Sequence, residues 1–128
     1  MIINQLTTRT MSTRATYQFL AADGGFSPRT TFYIHYDGYP EGAAAYFADM
    51  RTARQGQPNY SAANAFFRGN PLARLARDHE AHGDTEYRYT YNEDQDVLVV
   101  EECPNDRWVI NYRGPLAQFL ALHVPAPA

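Results

Sequence analysis

The hydrophobic pattern changes period three times along this chain, and those changes restrict the fold more than any single residue does. From Arg14 to Ala21 the apolar Ala15, Tyr17 and Phe19 alternate with Thr16 and Gln18, the two-residue period of a half-buried strand. Asp23-Gly24-Gly25 supplies turn residues, and Arg29 to Tyr36 reads as a second strand. The two make a hairpin with Phe32, Ile34 and Tyr36 on one face and Tyr33 and His35 on the other. Pro40 then fits the first turn of a helix running to about Arg54, where its missing N–H costs nothing. Asp37 falls near the cap of that helix, and Ala43 to Phe47 propagate it. Gln55 to Asn59 break the pattern, and Ser61 caps a short helix containing Phe66 and Phe67. Asn70-Pro71 opens a third helix, with Leu72, Leu75 and Ala76 inward, that ends near Gly83.

The last third returns to the strand period. Tyr87, Tyr89 and Tyr91 alternate with Glu86, Arg88 and Thr90, and Asn92 to Asp96 can only turn. Val97 to Glu102 and Trp108 to Tyr112 complete a three-stranded meander, and Gly114-Pro115 starts a final amphipathic helix through Leu122. The expected fold is α+β: a five-stranded antiparallel or mixed sheet in the order ββααα-βββ-α, with the helices packed on one face. Residues 1–12 are Thr-rich and patternless and read as an N-terminal extension, residues 13–123 as one domain and residues 124–128 as a frayed tail.

Composition removes several kinds of chemistry. A chain of 128 residues has the size of one domain, and 45% hydrophobic with 14% aromatic content is too rich for a disordered segment. A folded monomer or small homo-oligomer is expected. All eleven basic residues are arginine, so there is no Schiff-base or phosphate-loop lysine, and every side-chain cation other than histidine is a planar guanidinium. A net charge of −3 argues against a protein that coats DNA. Cys103 is the single cysteine, so no intrachain disulfide can form, and it reads as structural. No run approaches the roughly 20 apolar residues of a membrane span, and no signal-peptide run opens the chain, so no membrane association and a cytoplasmic location are expected.

Three groups of residues could carry chemistry. His35, Tyr36, Asp37, Gly38 and Tyr39 lie where a strand delivers an imidazole and two phenol rings to a glycine turn before a helix start. Free N–H groups there favour an anion, although Glu41 brings negative charge to the same place, and a plain strand-to-helix turn explains the segment equally. His79 and His82 sit three apart between Asp78 and Asp84 and would share a helical face, but the spacing is not that of the zinc-protease motif, and a polar helix end accounts for them without a metal. Arg14 at a strand start and Arg68 before Gly69 are candidates for phosphate or carboxylate capture, whereas Arg74 and Arg77 read as a solvated helix face. The Tyr87, Tyr89, Tyr91 stripe reads as core rather than a stacking platform. No nucleophile elbow, glycine-rich phosphate loop or Cys/His metal cluster is present, so neither a catalytic residue nor a cofactor is assigned.

Met11-Ser12-Thr13-Arg14 leading into a strand, followed by Tyr33-Ile34-His35-Tyr36-Asp37-Gly38-Tyr39-Pro40-Glu41-Gly42, resembles a group of small uncharacterised phage and bacterial proteins. Those begin Met-(Gly/Ser)-Thr-Arg and carry an aromatic-Asp-Gly-Tyr-Pro-x-Gly signature after a hairpin. The resemblance spans residues 11 to 50, with Asp37 to Gly42 its specific part, and implies a phage or mobile-element setting. The resulting expectation is a non-enzymatic phage or prophage accessory protein, working in the host cytoplasm, that antagonises a host defence system. It would do so by blocking a protein complex or by sequestering a nucleotide messenger, with Arg14, His35, Tyr36, Asp37, Gly38, Tyr39 and Arg68 as ligand-binding residues. The alternative is a small enzyme acting on a nucleotide or nucleic acid, with His35 or His79 as acid or base, Tyr36 assisting and Arg14 or Arg68 holding phosphate.

Overall fold

The computed structural model describes residues 13–21, 29–57 and 59–123. The N-terminal extension, the Asp23-Gly24-Gly25 turn and the C-terminal tail expected from the sequence lie outside these residues. Two blocks of strands flank two helices, and a third helix follows the last strand: β1 (Ala15–Leu20), β2 (Arg29–Ile34), α1 (Pro40–Gly56), α2 (Ala62–Gly69), β3 (Arg74–Ala76), β4 (Tyr87–Asn92), β5 (Val97–Glu102), β6 (Val109–Gly114) and α3 (Leu116–His123). A short 3-10 turn, His79–Ala81, lies between β3 and β4. Among the described residues, no helix is long and apolar enough to cross a membrane.

The fold is α+β, with a six-stranded mixed sheet of order β3-β2-β1-β4-β5-β6 in place of the five strands expected. The hairpin β1–β2 and the meander β4–β5–β6 form as their alternation dictates. They join through a parallel pairing of β1 with β4 that sets Tyr17 beside Tyr89. One face carries Tyr17, Phe19, Phe32, Tyr89, Tyr91, Leu98 and Val100, all buried beneath the helices. Tyr17 stacks on Tyr89 with ring centroids 5.0 Å apart, and Phe47 of α1, Phe66 of α2 and Phe119 of α3 close over the pair at 5.1 to 6.2 Å. Aromatic contact at these spacings adds to plain area burial, which explains why the Tyr87, Tyr89, Tyr91 stripe is core.

The largest departure from expectation is the third helix. Asn70 does not open a helix but closes α2: its backbone N–H donates to the Phe66 carbonyl at 2.9 Å, and its amide donates to the Tyr46 and Phe66 carbonyls at 2.9 and 3.0 Å. The chain then turns into β3, which pairs antiparallel with β2 as Phe32↔Leu75 and Tyr33↔Arg74. Leu72 and Leu75 are 81% and 75% exposed, not inward. Residues 77–86 lead across the second sheet face to β4 and bring His79 onto Thr16, and Gln18, which alternates with the apolar residues as Thr16 does, is also buried and donates to Thr31 Oγ1 at 3.1 Å. His79 locks this crossing, with Nδ1 2.6 Å from Thr16 Oγ1 and Nε2 2.9 Å from Thr90 Oγ1.

Candidate functional site

The Asp37 to Gly42 segment is a clip between sheet and helix, held by its backbone and by close packing at Gly38, Tyr39 and Gly42. Asp37 takes the left-handed backbone, φ 57°. Gly38 donates its N–H to the Thr13 carbonyl at 2.9 Å and accepts at its own carbonyl from Tyr89 Oη at 2.6 Å. A Cβ on Gly38 would lie 2.7 Å from Ala15 Cβ, and one on Gly42 would lie 2.1 Å from the Asp37 carbonyl oxygen. Tyr39 is the N-cap residue and packs against the core, Pro40 fills the first helical position, and Tyr46 Oη donates to the Tyr36 carbonyl at 2.9 Å. Burial pushes the Asp37 carboxyl above its ordinary value, and Glu41 adds a second acid in the first turn. Two carboxyl groups at a helix start oppose the phosphate that its N–H groups would otherwise favour.

The side chains just before the clip open outward instead. His35 follows β2 on the face away from the helices, and Arg14 precedes β1 beside it, with Nε 3.1 Å from His35 Nδ1 and 3.3 Å from Asp84 Oδ2. Tyr33 Oη lies 3.1 Å from the same His35 nitrogen, and the Tyr33 ring stacks on His82 with centroids 3.7 Å apart. Burial raises the Tyr33 hydroxyl above its ordinary value, Asp84 adds to the rise, and Arg14 opposes it. Tyr36 is 52% exposed and meets His35 edge to face, so it does not share the Phe32 and Ile34 face expected for it. A cleft of about 320 Å³ lies between Tyr33, His35, Tyr36, Leu72 and Arg74.

The predicted site residues therefore divide. His35 and Tyr36 line the outer cleft and Arg14 contacts His35 beside it, whereas Asp37, Gly38 and Tyr39 belong to the clip. Arg68 sits on α2, in the helical layer, over the Tyr60 ring at 5.1 Å. His79 and His82 do not share a helical face, since one is buried between two threonines and the other stacks on Tyr33. With both ring nitrogens engaged, His79 presents no free nitrogen to a substrate. Among the described residues, no group of three His, Cys, Asp or Glu side chains is placed to hold a metal ion.

A second cleft, of about 300 Å³, lies on the helical side of β3 and is lined by Phe32, Asn64, Phe67 and Leu75. The β3 edge thus separates an aromatic and basic cleft from an apolar one. Among the described residues, Arg29, Arg68 and Arg74 have no carboxylate within ion-pair distance, and all three are exposed. Sequence reasoning missed this rim because Leu72, Leu75 and Ala76 repeat at helical spacing. The available signal was the pair of leucines among Arg74 and Arg77, more apolar surface than a solvated face needs. No protein-family model, no curated protein and no solved structure matches the chain.

Proposed function

We propose that this chain works by binding, as a phage or prophage accessory protein that antagonises a host defence system by occupying a surface on one of its protein complexes. The phage setting rests on the Asp-Gly-Tyr-Pro-x-Gly resemblance. The observation that supports protein binding is the β3 rim, where Phe67, Leu72 and Leu75 are exposed near Arg29, Arg68 and Arg74, which have no carboxylate partner among the described residues. Apolar side chains grouped at an edge and bordered by charge are typical of protein contact surfaces. The sequestering of a nucleotide messenger is the second reading, and the outer cleft favours it, because Tyr36 and His35 offer ring faces beside the Arg74 guanidinium.

The test is a set of bacterial strains, each carrying one defence system and challenged with a sensitive phage. The chain should restore plaquing in at least one strain, and Leu75→Glu should lose that effect while the protein still folds. Titration calorimetry with cyclic and linear nucleotides separates the readings, since blocking a complex predicts no heat. A set in which no strain changes, together with calorimetry that shows no ligand, would remove both.

A further inference from the structure

The two clefts at β3 share one strand, and that strand is the end of the sheet. Its inner neighbour, β2, pairs with it through Thr31↔Ala76, Phe32↔Leu75 and Tyr33↔Arg74, and among the described residues no strand pairs with the other edge of β3. Side chains alternate across a sheet, so Leu75 points to the helical side with Phe32 while Arg74 points to the outer side with Tyr33. A strand laid beside β3 would alternate in the same way. One set of its side chains would meet Leu75 and Phe67 at the apolar cleft, and the other set would meet Arg74 at the outer cleft. Edge strands that receive peptides work like this, with main-chain hydrogen bonds holding the segment and flanking pockets choosing its alternate residues.

Charge decides what the segment must be. The chain as a whole carries −3, yet Arg74 lies on the outer face at this edge and Arg29 on the same face at the start of β2, both without a carboxylate partner among the described residues. Arg68, one helical turn beyond Asn64 of the apolar cleft, adds a third guanidinium without a carboxylate partner among the described residues, seated over the Tyr60 ring. We propose that the free edge of β3 is a strand-addition site for an extended acidic segment of a protein partner, with apolar residues facing Leu75 and Phe67 and carboxylates facing Arg74 and Arg29. This identifies the kind of partner implied by the protein-binding reading above and rests on it. The strand is only three residues long, so it contributes few main-chain bonds. Selectivity must come from the clefts and the arginines, and the shortness also protects the edge from indiscriminate pairing.

The probe is a fluorescent peptide of alternating valine and glutamate, titrated against the whole protein with amide chemical shifts recorded. Shifts should concentrate at residues 72–76 and Phe67, and Arg74→Glu should weaken binding about tenfold or more. N-methylation along one edge of the peptide should abolish binding, while N-methylation along the other should leave it intact, a pattern that side-chain docking alone would not produce. Absence of binding, equal binding of a valine–lysine peptide, or shifts centred on the β6 edge would overturn the site. Self-association that is lost in Leu75→Glu would assign the edge to a second copy and overturn it as well. If the peptide fails while the wild type still restores plaquing, only the strand-addition site falls. If the peptide binds at the edge but no strain is rescued, the defence-antagonist reading falls instead.

Discussion

A buried imidazole held between two threonine hydroxyls ties the stability of the outer layer to pH. Burial, reinforced by the Arg88 charge, pushes His79 down to about 4, with Glu80 and Asp78 opposing the shift and Arg29 adding to it. The unfolded histidine titrates near 6.5, so unfolding takes up a proton at any pH between these values. The contribution is therefore complete above about pH 6.5 and is lost as the pH falls toward 4, amounting to about 3 kcal/mol over the whole window. Urea unfolding between pH 7 and pH 4.5 checks this when His79→Gln is measured beside the wild type. The wild type should lose stability relative to the variant as the pH falls, and parallel curves would show that the imidazole is not the titrating group. None of this was legible in the sequence. His79 read as part of a polar helix end, because its partners Thr16 and Thr90 lie 63 and 11 residues away and only the fold brings them together.

At the scale of elements, local chemistry was readable where the chain decides for itself and unreadable where a neighbour decides. Pro40 at the helix start and Ser61 as the cap of α2, accepting from the Asn64 N–H at 3.2 Å, act through their own backbone, and both were placed correctly. Leu72, Leu75 and Ala76 match a helix as well as an edge strand, and pairing with β2 selected the strand. The clip makes a sharp prediction about glycines. Gly42→Ala forces a Cβ onto the Asp37 carbonyl and Gly38→Ala forces one onto Ala15, so each should lower stability by about 1 to 3 kcal/mol, the usual cost of overpacking. Gly56, the last residue of α1, has nothing within 4 Å of its Cβ position. Gly56→Ala should leave stability unchanged or raise it by up to about 1 kcal/mol. Chemical denaturation of the three variants gives the comparison, and a Gly42→Ala protein as stable as Gly56→Ala would mean that the clip is loose.

At the scale of the molecule, the strands were legible and their order was not. A hairpin and a meander follow from alternation and turn residues, but nothing in either block states that β1 lies beside β4 in parallel. That pairing is fixed by the Tyr17–Tyr89 stack and by the crossing of residues 77–86, contacts between segments far apart in the chain. It also puts β1 and β4, which carry the stacked Tyr17 and Tyr89, at the centre, with β3 and β6 as edges among the described strands. Opening free energy should therefore fall from the centre outward, because edge strands can separate without exposing the aromatic core. Amide hydrogen exchange should find the paired N–H groups of β1 and β4 slowest, those of β2 and β5 intermediate, and those of β6 and above all β3 fastest. Residues 74–76 would then exchange under conditions that leave Tyr17 and Tyr89 protected, which a strand awaiting an external partner requires. Equal protection at β3 and β1 would mean that the edge is already held, and the strand-addition site would lose its physical basis.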